Sequence, residues 1–107
     1  MRLEKIENNH YILHGKIKEM SDYEDLKVIL EHLRKDKPQE NIQEVIFKIP
    51  NAKDINSHII GHWLKLARKN NFRFHLYIGN TRLYELCYQL GLNNFFEIID
   101  DRVDTYL

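Results

Sequence analysis

The segment Phe72–Ile78 most narrows the folds open to this chain: Phe72, Phe74, Leu76 and Ile78 alternate with Arg73, His75 and Tyr77. A two-residue period places the two sets on opposite sides of a strand, so the stretch predicts a sheet with one apolar face. The segments on either side keep a different period. Before it, over about 57–69, Ile59, Ile60, Trp63, Leu64, Leu66 and Ala67 make a wide apolar stripe at helical spacing. After it, Gly79 turns the chain and Asn80 or Thr81 can cap a helix whose face is Leu83, Leu86, Cys87 and Leu90, with Gly91 as its natural stop.

The rest of the chain continues the alternation. Two strand-like runs, 3–7 and 10–17, flank Asn8-Asn9 as a tight turn, and Gly15 marks a bulge or a close backbone approach. Ser21-Asp22-Tyr23-Glu24 has the form of a capping box, and Tyr23, Leu26, Leu30 and Leu33 repeat at helical spacing, predicting a helix over 22–35 that ends before Lys37-Pro38. The apolar run 45–49 reads as a buried strand stopped by Pro50, and 95–99 as a last short strand followed by an acidic tail. The order is β-β-α-β-α-β-α-β, an α/β fold with a mixed sheet, and helices with one apolar stripe each are expected to pack on that sheet and leave part of it uncovered. The 107 residues fit a single domain over 1–107.

Composition removes several function classes. With 43% hydrophobic and 30% charged residues the chain has enough apolar content for a core, and a formal net charge of zero lacks the footprint of a nucleic-acid binder. No apolar run is long enough to suggest a membrane span, and the start MRLEKIENNH lacks a signal-peptide layout, so the expectation is a cytoplasmic protein without direct membrane insertion.

Catalytic and metal motifs are sparse. His58 and His62 are four apart and share a helix face, but position 59 is isoleucine where a zinc-protease motif needs glutamate, and no carboxylate or cysteine nearby completes a ligand set; no metal is expected. Cys87 sits on the apolar side of its helix and reads as a core residue. Phosphate-cradling glycine loops are absent, and Asp100, Asp101 and Asp104 read as a solvated end. The expectation is a protein without enzymatic activity or cofactor. The remaining feature is Asn56-Ser57-His58, where a loop delivers the chain into a helix. A hydroxyl there serves first as a cap. The same place also stabilises an added phosphate, through free amide groups and the helix dipole, and a phosphoserine brings about −1.5 to −2 charges.

With these residues in view, the chain resembles the STAS family, the fold of bacterial anti-sigma factor antagonists. The stretch 45–99 carries the likeness: an apolar strand, a short loop, Asn56-Ser57-His58-Ile59-Ile60-Gly61 where the family has D-S-[ST]-G-L-G, then Leu66-Ala67-Arg68-Lys69, the strand Phe72–Ile78, and a helix closed by Gly91-Leu92 before Phe95-Phe96-Glu97-Ile98. The resemblance implies a partner-switching module in transcription regulation: the antagonist docks on a kinase-type anti-sigma factor, which releases it by phosphorylating a serine that falls on Ser57 here. The docking residues it implies are Lys18, Lys53, Asn56, Ser57, His58, Ile59 and His62.

Departures from the family pattern change the expected surface. Asn56 stands in place of the acid, His58 in place of a small residue and Ile59 in place of a glycine, so Ile59 is expected to crowd the helix start. Lys16 and Lys18 flank Ile17, and together with Lys53 and His62 they make the surroundings of Ser57 less acidic than in the family. The alternative within the family is a constitutive adaptor subunit, such as the partner of an ABC transporter ATPase, in which Ser57 is only a cap. Trp63, Tyr84 and Tyr88 are contact aromatics on that reading if they are exposed, whereas a buried Trp63 belongs to the core.

Overall fold

An antiparallel hairpin starts the sheet and parallel strands complete it. In the computed structural model, which describes residues 1–36 and 41–102, β1 (Arg2–Glu7) and β2 (His10–His14) pair antiparallel, with a register shift between Lys5 and Glu7. Asn9 makes the turn with a φ of 61°, a left-handed conformation that asparagine tolerates better than most residues. Then follow α1 (Met20–Asp36), β3 (Gln43–Ile49), α2 (Ser57–Lys69), β4 (Phe72–Ile78), α3 (Thr81–Gln89), a 3-10 turn (Leu92–Asn94) and β5 (Glu97–Asp100). The five strands lie in the order β1-β2-β3-β4-β5, with β2 to β5 mutually parallel. The result is a small α/β domain with a mixed sheet and three helices.

Strand alternation decides which face the helices cover. Tyr11, Leu13, Val45, Phe47, Ile49, Phe72, Phe74, Leu76 and Ile78 point one way and are buried with Leu26 and Leu30 of α1, Ile59, Trp63 and Leu66 of α2, and Leu83 and Cys87 of α3. The opposite face keeps its intervening residues at least partly in solvent, among them His10, Ile12, His14, Ile46, Lys48, His75 and Tyr77. Trp63 is the keystone of the covered side, 1% exposed, its ring stacked 4.8 Å from Phe47 and 5.5 Å from Phe74 with Phe96 edge-on at 6.3 Å. Each such aromatic pair adds about 0.5–1.5 kcal/mol beyond the area it buries. Trp63 is therefore a core residue and no contact aromatic.

Four boundaries differ from the sequence-based expectation by two residues or more, each for a local reason. β2 stops at His14 because Gly15 takes a φ of 81°, and Ile17 forms a separate parallel bridge with Ile55. α1 begins at Met20 because the Asp22 carboxylate reaches back to the Glu19 amide at 3.1 Å, so Ser21 lies inside the first turn and caps nothing. Gly91, at a φ of 71°, leads into the 3-10 turn Leu92–Asn94, and the Phe96 ring is drawn onto Phe74, so the last strand is Glu97–Asp100. β3 starts two residues early, at Gln43, whose amide donates to the Asn71 carbonyl. The proposed stop at Lys37-Pro38 and the tail from Val103 lie outside the described residues.

Candidate partner-docking site

Two loops at the carboxyl ends of β2 and β3 form one corner of the molecule. The Gly15 amide donates to Asn51 Oδ1 at 3.1 Å, the Ile17–Ile55 bridge joins the loops further on, and the Asn56 amide donates to the Ile17 carbonyl at 2.9 Å. Alternation inside these loops sets what faces out. Ile17, Ala52 and Ile55 are buried, so Lys16, Lys18 and Lys53 between them are turned to solvent. With Asn51 and Asp54 the three lysines line a pocket of about 160 Å³.

α2 begins at this corner, and its cap is Asn56. Asn56 Oδ1 accepts from the His58 amide at 2.8 Å, while its Nδ2 donates to the Lys18 carbonyl at 2.9 Å. The expectation that Ser57 is the capping hydroxyl is thereby corrected. Ser57 is the first helical residue, exposed, and its hydroxyl makes no hydrogen bond among the described residues. An amide group fills the cap as well as a hydroxyl does, and Asn56 has the non-helical backbone that the capping position requires, with φ −51° and ψ 132°.

The other expected docking residues divide. Lys18, Lys53 and His58 are exposed at the corner and Asn56 is half-buried there. His58 also lies with its ring 5.8 Å from that of Tyr23 on α1. Ile59 is a correction: it is 1% exposed and packs in the core, because the helical stripe that buries Trp63 includes it, so it neither crowds the helix start nor reaches a partner. His62 is turned to α1, with Nε2 3.2 Å from Glu31 and its ring edge-on to Tyr23 at 6.2 Å. Burial works to raise the Glu31 carboxyl, but hydrogen bonds from Arg34 and His62 outweigh it and hold the group below its usual value. His62 thus ties α2 to α1 more than it faces outward.

Elsewhere the surface offers less chemistry. Among the described residues no group of three His, Cys, Asp or Glu side chains is arranged to hold a metal ion, and no helix is long and apolar enough to cross a membrane. Cys87 is buried, and burial pushes its thiol up to about 11, which keeps it protonated and unreactive at neutral pH. On the open sheet face His75 stands between two carboxylates, Nε2 3.0 Å from Glu44 and Nδ1 2.8 Å from Glu97. Sequence reasoning missed this cross-strand trio, because its members lie on three different strands and only the register of β3, β4 and β5 aligns them. Tyr84 is half-buried and Tyr88 exposed, their rings 5.2 Å apart, and the Arg102 guanidinium lies over Tyr84.

No protein-family model matches this chain, and neither a curated protein nor a solved structure does.

Proposed function

We propose that this chain is a non-enzymatic, protein-binding regulatory module of the STAS type, docking its partner through the corner at the start of α2 and released by phosphorylation of Ser57. The observation that carries the reading is the division of labour at that helix start. Asn56 closes the helix, which leaves the Ser57 hydroxyl exposed and free of hydrogen bonds among the described residues. A phosphate there meets the positive end of the helix dipole, so the modified form is well tolerated by the fold. The order β-β-α-β-α-β-α-β, with a leading antiparallel hairpin, is compatible with that family.

On this reading the partner is a kinase-type anti-sigma factor in a bacterial cytoplasm, and the phosphate both repels the partner's docking groups and neutralises the lysines. The test is to purify complexes from the native cell and to measure intact mass and phosphopeptides on the same sample. The expected result is phosphate on Ser57, with a kinase-like partner recovered only with the unmodified form and lost in a Ser57→Asp variant. An unmodified Ser57 in a stable complex with an ATPase or another subunit, under every growth condition, overturns the switch and assigns a constitutive adaptor.

A further inference from the structure

The corner beside α2 is positively charged in a chain whose formal net charge is zero. Lys16, Lys18 and Lys53 come from two loops, converge on one pocket, and none of them makes an ion pair among the described residues. Two carboxylates are near in the chain. Asp54 lines the pocket, and Glu19 follows Lys18 with its amide engaged by Asp22, but among the described residues neither forms an ion pair with a lysine. Asn51 contributes a carboxamide whose oxygen is already engaged by the Gly15 amide, so its NH2 group is left to donate. The amino end of α2 adjoins, tied to the Lys18 carbonyl through Asn56, and adds the positive end of its dipole to the same side.

Three lysines set against one lining carboxylate, Asp54, leave an excess of positive charge in the pocket, and a ligand of opposite sign relieves that excess while gaining charge-assisted hydrogen bonds. Lysine ammonium groups on flexible stems suit separate carboxylates, which need no planar fork. We propose that this corner docks a carboxylate-rich segment of a protein partner, with acidic side chains reaching Lys16, Lys18 and Lys53. The inference rests on the docking surface proposed above but not on phosphorylation of Ser57. It gives that surface a partner chemistry: an acidic segment is attracted while Ser57 is unmodified, and a phosphate on Ser57 competes with it for the same lysines.

The test uses the full-length unphosphorylated chain and a blocked hexaglutamate peptide as probe, followed by amide chemical shifts, with hexaglutamine and inorganic phosphate titrated separately. The expected result is saturable shifts confined to the amides around Lys16, Lys18, Lys53 and Ser57, weakened by added salt and absent with hexaglutamine. The same shifts should persist in Ser57→Ala and vanish in K16Q/K18Q/K53Q, whose melting temperature shows that it folds. Shifts with phosphate alone overturn the acidic-segment assignment in favour of a small anion. No shift with either probe, or shifts that survive in the triple variant, overturn the site itself. Persistence in Ser57→Ala keeps this outcome separate from the fate of the phosphorylation switch.

Discussion

The carboxamide of Asn56 donates to the carbonyl of Lys18 at 2.9 Å, across 38 positions of sequence, while its oxygen caps α2 through the His58 amide. One side chain therefore fixes both the helix start and the loop that carries two of the corner's lysines. Replacing Asn56 by alanine removes both bonds and is expected to cost about 1–3 kcal/mol, the sum of a lost cap and a lost side-chain to backbone hydrogen bond. Asn56→Asp keeps the cap and loses only the donor, so it should lie between the two. Ser57→Ala touches neither bond and should stay within about 0.5 kcal/mol of the parent. Urea unfolding of the three variants checks the ranking, and a large loss in Ser57→Ala would restore the serine as the cap.

Two glycines give opposite expectations. Gly61 is exposed in the middle of α2, and a Cβ built there meets nothing within 4 Å. Gly61→Ala should stabilise the protein by about 0.5–1 kcal/mol through helix propensity. At Gly79 the added Cβ would stand 2.7 Å from the Pro50 carbonyl oxygen and 2.8 Å from its Cα, and both are backbone atoms that cannot swing aside. Gly79→Ala should destabilise by about 1–3 kcal/mol. Thermal melts of the pair decide both.

Among the described residues, Asp100 is the group whose titration the fold moves furthest toward acid. Hydrogen bonds from the Arg102 side chain and then from its backbone amide hold the Asp100 carboxyl down at about 2. A carboxyl depressed in the folded state contributes stability above its unfolded value, and that contribution is lost as the pH falls toward about 2. A carboxyl-detected titration should place Asp100 well below the usual ~3.9. Arg102→Gln should return the midpoint toward that value.

Cys87 should resist a maleimide at pH 7.5 in the folded protein and react promptly in denaturant, since its thiol is buried and pushed up to about 11. Mass spectrometry after a short exposure measures this. Rapid labelling without denaturant would mean that α3 opens readily from the sheet.

What was legible in the sequence follows from how strongly each segment repeats. α2 and β4 were readable to the residue because Trp63 and its stripe keep a helical period and Phe72–Ile78 keeps a strand period, and neither pattern competes with the other. The start of α1 was not, because a carboxylate at Asp22 serving the Glu19 amide looks in sequence like a box opened by Ser21. At α2 the hydroxyl was chosen over the neighbouring amide, and only backbone geometry separates Asn56 from Ser57. The exposure assigned to Ile59 failed for a different reason: it was placed by the family pattern, whereas its own spacing to Trp63 already put it on the buried stripe. The lysine pocket depends on the Ile17–Ile55 bridge, a pairing between distant loops that no local period encodes.

That bridge has a consequence for how such a surface can change over time. The directions of Lys16, Lys18 and Lys53 are imposed by the buried Ile17, Ala52 and Ile55, not by anything the lysines touch. Shape and charge at this corner are therefore inherited separately. Substitutions at the three outward positions can invert the sign of the surface, and with it the class of partner, while the apolar residues beneath hold the same outline in place.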